Sequence, residues 1–296
     1  MDPAVIASVP EQDRQAISNT SLRTTTRLTG KNNDYFVKCG SPDPIEAESY
    51  CLKWLAKAVP DSIPKLYGCG PLQSNPAKWF MTVSYLDLRG GNKSADAKMA
   101  KMLAKLHSTQ LSDTFGLPDS RTTYCGPTPQ PNPPTTSWTD FYATHRLKYI
   151  LDLNQKEGHW DSQFSQLAHK TVNTVIPTLL NPLDIKPSLV HGDLWAGNAA
   201  YIQVSNELEP VIFDPSCTFA HNEYELALMK MFGGFSATVF DEYHKIIPKS
   251  HPESQYADRL ALYELYHQLN HSFLFGGGGY YSSAEAIMSR LVSKYG

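Results

Sequence analysis

Three oxygen-bearing side chains in the second half of the chain have the types and spacing that phosphoryl transfer requires. Asp193 and Asn198 stand five residues apart after a short apolar stretch, and Asp214 ends a second apolar stretch further along. The reaction needs a carboxylate that orients the attacking hydroxyl and takes up its proton, and oxygen ligands that hold Mg²⁺ against a triphosphate. The pattern therefore predicts an ATP- and Mg²⁺-dependent phosphotransferase, with Asp193 as the base and Asn198 and Asp214 as metal ligands.

Upstream residues supply further parts of such a site, in the order that a kinase requires. In protein kinases a lysine on a strand contacts the α- and β-phosphates and is held by a glutamate from the next helix. Here an apolar strand ends at Lys38, and the helix that follows offers Glu46 and Glu48 as its partner. We prefer Glu48, because it lies one turn into the helix and four residues before Leu52.

Two more segments complete the predicted nucleotide site. The apolar segment 79–86 occupies the place of the strand and hinge that hold an adenine ring, through the backbone of Ser84, Tyr85 and Leu86. Kinases also cover the phosphates with a glycine-containing turn whose N–H groups approach closely. The corresponding segment 17–22 contains no glycine, so we expect Ser18 and Thr20 to donate hydroxyl hydrogen bonds instead.

The elements that position these residues change in character along the chain. β-branched and aromatic residues predict strands early in the chain, with one helix among them: strands 22–28, 35–38 and 79–85, helix 45–58. Later segments have mostly helical spacing, with two short strands and a proline-rich loop: helices 95–107, 138–153, 161–180 and 260–275, strands 188–191 and 211–214, loop 126–136. This predicts a bilobal, kinase-like α+β fold. Residues 1–87 form an antiparallel β-sheet lobe with one helix and the hinge, and residues 88–296 form a mainly helical lobe.

Composition excludes several other classes of protein. The 296 residues carry 26 basic and 29 acidic side chains, a formal net charge of −3, which disfavours binding to nucleic acid. No apolar run is long enough to span a bilayer, and the start of the chain lacks the features of a signal peptide. The five cysteines form no CxxC pair, so neither a disulfide framework nor a zinc ribbon is expected. We therefore expect a cytoplasmic protein that acts on neither nucleic acid nor membrane.

At this point the chain resembles a known family, the fructosamine and ketosamine 3-kinases, which include protein-ribulosamine 3-kinases and are related to aminoglycoside and choline kinases. The resemblance extends from about Ile17 almost to the C-terminus. It is carried by the segments HGDLWAGN (191–198), IFDPSCTFAHNEYELALMKMFGGF (212–235), YHKIIPK (243–249), TDFYATHRLKYILDL (139–153), FVK (36–38) and EAE (46–48).

The resemblance implies ATP- and Mg²⁺-dependent phosphorylation of the 3-hydroxyl of a ribulosamine or fructosamine on a lysine. A phosphate at this position makes the adduct labile, so the activity would release the lysine and repair glycated protein. The substrate would be a glycated protein or free glycated lysine. Residue by residue, the resemblance assigns the roles given above and adds Trp195 as a sugar-stacking residue. For His191 two roles are open: contact with substrate and bracing of the loop through hydrogen bonds. For Trp195 the alternative to sugar stacking is burial in the core.

Two other functions stay open at the level of sequence. A small-molecule kinase of the aminoglycoside or choline type would have the same fold, although an aminoglycoside pocket is expected to be strongly acidic. A non-catalytic, nucleotide-binding pseudokinase would keep the fold without turnover. The sequence does not predict an oligomeric state.

Overall fold

A computed structural model describes residues 1–17, 21–156, 160–276 and 279–296 of the chain. Its first part is built on a four-stranded antiparallel sheet in the order β1-β2-β4-β3. The strands are β1 (Thr25–Thr29), β2 (Asp34–Gly40), β3 (Leu66–Pro71) and β4 (Trp79–Ser84). Three helices accompany them: α1 (Pro3–Ser8), α2 (Glu11–Arg14) and α3 (Pro42–Leu55).

Both faces of this sheet are covered, which explains the dense apolar sequence of β4. Phe80 packs on one face together with Val5 of α1, whereas Met81 and Val83 belong to the core on the other face, with Leu52 of α3. Because successive side chains of a strand point to opposite faces, a strand covered on both sides is apolar at nearly every position. The packing of α3 on the sheet sets the position of the helix relative to β2.

The rest of the chain is mainly helical. Its helices are α4 (Lys93–Ser108), α5 (Trp138–Tyr142), α6 (Tyr149–Lys156), α7 (Ser162–Lys170), α8 (Ile176–Leu180), α9 (Asn222–Met231), α10 (Ala237–Ile246), α11 (Tyr256–Phe275) and α12 (Gly279–Tyr295). Short π-helical segments join α5 to α6 and α7 to α8. Within the described ranges, no helix is long and apolar enough to cross a membrane.

Three two-stranded ladders lie among these helices, and two of them carry the candidate chemistry. They pair β5 (Thr123–Cys125) with β6 (Thr128–Gln130), β7 (Ser188–Val190) with β10 (Thr218–Ala220), and β8 (Ala199–Val204) with β9 (Glu207–Ile212). The loop after β7 contains residues 191–198, and β9 ends just before Asp214. The predicted kinase-like α+β architecture is thereby confirmed.

Several predicted elements need correction. The segment 126–136 is not wholly loop, because β6 pairs with β5 despite the surrounding prolines. Helices α9, α10 and α12 and strands β3 and β8 were not predicted. Residues 222–229 of α9 are buried on every side, so its sequence lacks the amphipathic pattern that marks a surface helix. The division into lobes at residue 87 stays a prediction.

Candidate active site

The loop after β7 and the segment after β9 bring the three predicted oxygen-bearing residues together. Asn198 ends a 3₁₀ turn, and its Nδ2 donates to the backbone oxygen of Asp193 (2.9 Å) and to Asp193 Oδ2 (3.3 Å). Asp214 Oδ1 lies 3.4 Å from Lys38 Nζ, across from the sheet. The left-handed backbone at Asp214 (φ 57°) is uncommon for a residue other than glycine and marks a locally constrained turn.

Lys38 connects this segment to α3. Its Nζ lies 2.6 Å from Glu48 Oε2, so one ammonium group contacts carboxylates from two distant parts of the chain. Burial disfavours the charged form of Lys38 and so lowers its pKa. The negative charges of Glu48 and Asp214 have the larger combined effect, and the pKa of Lys38 is therefore raised. Burial also raises the pKa of Glu48 to about 7, against the attraction of Lys38. The other candidate, Glu46, points elsewhere and pairs with Arg121 (3.0 Å).

Asp193 is largely enclosed by protein. Burial raises the pKa of its carboxyl group to about 7; the hydrogen bond from Cys125 opposes this shift, and the charges of Glu225 and Asp214 add to it. Cys125 Sγ lies 3.6 Å from Asp193 Oδ1. A carboxylate whose pKa lies near neutrality is suited to accept a proton from a hydroxyl group during the reaction.

His191 is completely buried, which supports the bracing role that the sequence also allows and not contact with substrate. Its Nδ1 accepts the backbone N–H of Asp193 (3.3 Å), and its Nε2 lies 2.9 Å from the backbone oxygen of Phe213. These two contacts require the neutral tautomer with the proton on Nε2, and burial lowers the pKa of the imidazole accordingly. His191 therefore braces the segment that carries Asp193 against the one that carries Asp214.

Sequence reasoning missed a second bracing residue, Glu225 of α9. This buried carboxylate accepts the backbone N–H groups of His191 and of Gly192, the latter at 3.0 Å through Oε1. Gly192 has a φ of 85°, and a Cβ there would lie 2.0 Å from the backbone oxygen of Ser216. The buried acid within the apolar run of α9 was the available signal, but its partners lie more than thirty residues away along the chain.

A cavity of about 390 Å³, within the range of small-molecule sites, adjoins Lys38 and Asp214. Its lining includes Lys38, Glu48 and Asp214, apolar side chains from the sheet, and the predicted hinge residues Ser84, Tyr85 and Leu86. Two of the hinge N–H groups are already engaged: Ser84 donates to the backbone oxygen of Lys65 (2.9 Å) and Tyr85 to that of Asp34 (3.0 Å). Among these three residues, only Leu86 has an N–H group without an acceptor in the described part of the chain.

Trp195 lies at the surface beside the loop of Asp193. Its side chain is 41% exposed, which excludes burial in the core, and its ring centroid lies 5.8 Å from that of Phe232. The ring also covers Gly197, where a Cβ would lie 2.3 Å from it. The absence of a side chain at Gly197 thus permits the indole ring to pack closely against the loop. Ser18 and Thr20, predicted to contact phosphate, lie outside the described residues.

Comparison with known proteins identifies the family of the chain. The Fructosamine kinase family matches residues 4–294. The chain belongs to the fructosamine kinase family. A probable ketoamine kinase of Synechocystis sp. is 35% identical over 95% of this chain and 90% of its own. The chloroplastic protein-ribulosamine 3-kinase of Arabidopsis thaliana is 34% identical over 86% of this chain and 74% of its own. A crystal structure from Haemophilus somnus, provisionally assigned as a fructosamine-3-kinase, has 26% identity and a TM-score of 0.77, covering 93% and 91% of the two chains.

The donor atoms of this fructosamine kinase family member fit a magnesium ion. Mg²⁺ is commonly held by one or two carboxylates together with substrate phosphates and water, not by a cage made only of protein. Accordingly, the described ranges contain no cluster of three or more His, Cys, Asp and Glu side chains suited to a metal. Since both contacts of the Asn198 amide nitrogen are to Asp193, the Oδ1 atom of Asn198 faces away from them. Within the described residues it accepts no hydrogen bond, so it is available as a ligand, and the half-exposed carboxylate of Asp214 is available as another.

Proposed function

We propose that this protein is an ATP- and Mg²⁺-dependent ketosamine 3-kinase that transfers phosphate to the 3-hydroxyl of a ribulosamine or fructosamine. One observation carries the proposal: Lys38 Nζ contacts both Glu48 (2.6 Å) and Asp214 (3.4 Å) at the edge of a cavity of about 390 Å³. The residues that we propose to bind phosphate, Lys38 with Glu48, thus lie beside the proposed metal ligand Asp214 at one cleft. Family membership supports the same class of reaction.

Each residue then has a role that its surroundings allow. Asp193 orients the sugar hydroxyl and takes its proton as the oxygen attacks the γ-phosphorus, while the bond to the β-phosphate oxygen breaks. Asn198 and Asp214 hold Mg²⁺, which neutralises charge on the phosphates. Lys38, aimed by Glu48, contacts the α- and β-phosphates, and the hinge receives the adenine, with the N–H of Leu86 as its donor. Trp195 offers its exposed face to the sugar.

The substrate class follows from the family and from the site. The Arabidopsis relative is named for ribulosamines, and we propose ketosamines on lysine, protein-bound or free, as substrates here. The C2 carbonyl allows enolisation towards C1, the C3–O bond then breaks with loss of phosphate, and water hydrolyses the resulting imine to free the amine. The reaction would therefore deglycate lysine. We also propose a cytoplasmic location, which the five unpaired cysteines support.

A substrate panel tests the proposal directly. Purified protein with Mg-ATP is offered a ribulosamine, a fructosamine, choline and an aminoglycoside, and phosphorylated product is measured by mass spectrometry. We expect turnover of the ketosamines alone. Preferred phosphorylation of choline or the aminoglycoside would replace the proposal by the related small-molecule kinase function.

The role of the base is tested with Asp193→Ala. We expect the variant to fold normally and to lose nearly all phosphoryl transfer, because no other described carboxylate makes the contacts of Asp193. Retention of more than a few per cent of wild-type turnover would contradict the assignment. A pseudokinase, in contrast, would show a thermal shift with Mg-ATP but no turnover of any substrate in the panel.

A further inference from the structure

We infer that Cys125 is a positioning residue for Asp193, holding one carboxylate oxygen of the base through its thiol. The inference rests on the proposed function, in which Asp193 accepts the proton of the sugar hydroxyl. It adds a residue that lies outside the loop of Asp193, on the β5–β6 hairpin, 68 positions away along the chain.

A short chain of contacts leads from α11 through the thiol to the base. Asn270 Nδ2 lies 3.4 Å from Cys125 Sγ, and Cys125 Sγ lies 3.6 Å from Asp193 Oδ1. These are ordinary separations for weak hydrogen bonds to and from sulfur. Cys125 is 3% exposed and Asn270 is completely buried, so solvent does not compete for either group.

The direction of these hydrogen bonds is set by the chemistry of the groups. Burial raises the pKa of the Cys125 thiol well above its ordinary value, and the neighbouring carboxylate of Asp193 adds to this shift. The sulfur therefore carries its single hydrogen. An ionised carboxylate only accepts hydrogen bonds, so the S–H group donates to Asp193 Oδ1, while a sulfur lone pair accepts from Asn270.

The hairpin that carries Cys125 is itself tied to both sides of the site. Gln130, on β6, donates through Nε2 to Tyr266 of α11 (2.7 Å) and accepts through Oε1 from Ser216 Oγ (2.7 Å). Ser216 follows Asp214 by two residues, and its backbone N–H donates to the oxygen of His191 (2.9 Å). The Cys125 thiol is thus carried by a hairpin that is itself fixed by hydrogen bonds to α11 and to the segment that follows Asp214.

The two carboxylate oxygens of Asp193 consequently accept hydrogen bonds from different residues. Asn198 donates to Oδ2 at 3.3 Å and Cys125 to Oδ1 at 3.6 Å, which together restrict rotation of the carboxylate. Each oxygen keeps a second lone pair for the substrate hydroxyl. Because a thiol is a weak donor, it orients the carboxylate while removing little of its basicity.

Three single variants, one double variant and a matched control test the inference in the ketosamine assay. Cys125→Ala removes the donor, Cys125→Ser keeps a hydroxyl donor, and Asn270→Ala removes the group that orients the thiol. Cys69→Ala is the control: its Sγ makes a comparable weak contact, 3.8 Å from the backbone oxygen of Ile45, away from the base. Thermal unfolding of each variant is measured alongside, so that rates are compared only between folded proteins.

We expect Cys125→Ala to lower kcat about five- to tenfold, the effect of losing one hydrogen bond that orients the reacting group. The KM values for ATP and ketosamine should change less than twofold, because Cys125 lies on neither binding surface. Cys125→Ser should recover part of kcat, and Cys69→Ala should match the wild type. Since Asn270 acts through the thiol, the double variant Cys125→Ala/Asn270→Ala should be no slower than Cys125→Ala alone.

Two results would overturn the inference. One is a kcat for Cys125→Ala within twofold of the wild-type value. The other is a loss that falls on KM, or that Cys125→Ser does not relieve, since either would indicate packing instead of orientation. Failure of the proposed function would look different, because the wild-type enzyme itself would then leave the ketosamines unphosphorylated.

Discussion

Replacing Glu225 by glutamine probes how the catalytic loop is held in place. The wild-type carboxylate is 1% exposed and accepts the backbone N–H groups of His191 and Gly192, one on each oxygen. Glutamine has nearly the same shape but only one acceptor oxygen. In the Glu225→Gln variant one of the two backbone N–H groups would therefore face an NH₂ group.

The size of the effect follows from this change. A hydrogen bond to a charged group contributes about 1.5–3 kcal/mol, and a buried donor left without an acceptor adds a further cost. Removal of a buried charge offsets part of this loss. We therefore expect the free energy of unfolding to fall by about 2 kcal/mol. Because the weakened turn carries Asp193, we also expect kcat to fall at least tenfold, an order-of-magnitude expectation for a misplaced reacting group.

Urea unfolding followed by circular dichroism, together with the ketosamine assay, measures both quantities. Glu264→Gln provides the control, since Glu264 accepts only a side-chain hydrogen bond, from Gln268 (2.8 Å), and should change stability by less than about 0.5 kcal/mol. If Glu225→Gln were as stable as this control and kept half of the wild-type kcat, the assigned bracing role would be refuted.

Three further substitutions test other parts of the structure. Gly192→Ala should destabilise the protein by about 2 kcal/mol or more in the same urea experiment. The alanine Cβ would lie 2.0 Å from the backbone oxygen of Ser216, and a φ of 85° is strained for any residue other than glycine. Trp195→Ala should raise the KM for ketosamine about five- to tenfold and leave the KM for ATP unchanged, as expected from loss of an aromatic stacking surface; an equal rise in both would contradict a sugar-specific contact. Burial opposes the charge of Asp258, but hydrogen bonds from Lys294, Tyr295 and Arg290 outweigh it and lower its pKa. Since the folded-state pKa lies below the unfolded one, the stabilisation is present above about pH 4 and is lost as the pH falls through the folded-state value. Asp258→Asn should therefore reduce the free energy of unfolding at pH 7 and reduce it much less at pH 3. If the stability difference between the variant and the wild type grew towards pH 3, the predicted direction of the pKa shift would be contradicted.

Much of the candidate site could be predicted because its information is local. The five-residue spacing of Asp193 and Asn198 lies within one loop and one 3₁₀ turn, and the position of Asp214 at the end of a strand needs only the apolar stretch before it. Lys38 and Glu48 are similarly placed by one strand and the first turns of one helix, so the predicted pairing agrees with the 2.6 Å contact.

The residues that hold this site were predicted less well, because their partners are distant along the chain. The sequence left two roles open for His191, contact with substrate and bracing of the loop, and packing buries its ring and turns it towards Phe213. Neither Glu225 nor Cys125 has a neighbour in sequence that hints at its role. Both act on a loop that reaches them only after the helices have packed.

The amino-acid sequence by itself determined the order of the chemical groups, the kinase-like fold and the family, because each depends on residue types and short spacings. Only the tertiary structure decided which buried side chains contact Asp193 and its loop, and which backbone N–H groups of the predicted hinge already have acceptors. A hydrogen bond between segments far apart in the chain depends on ångström-scale distances and directions, and these exist only once the core has packed.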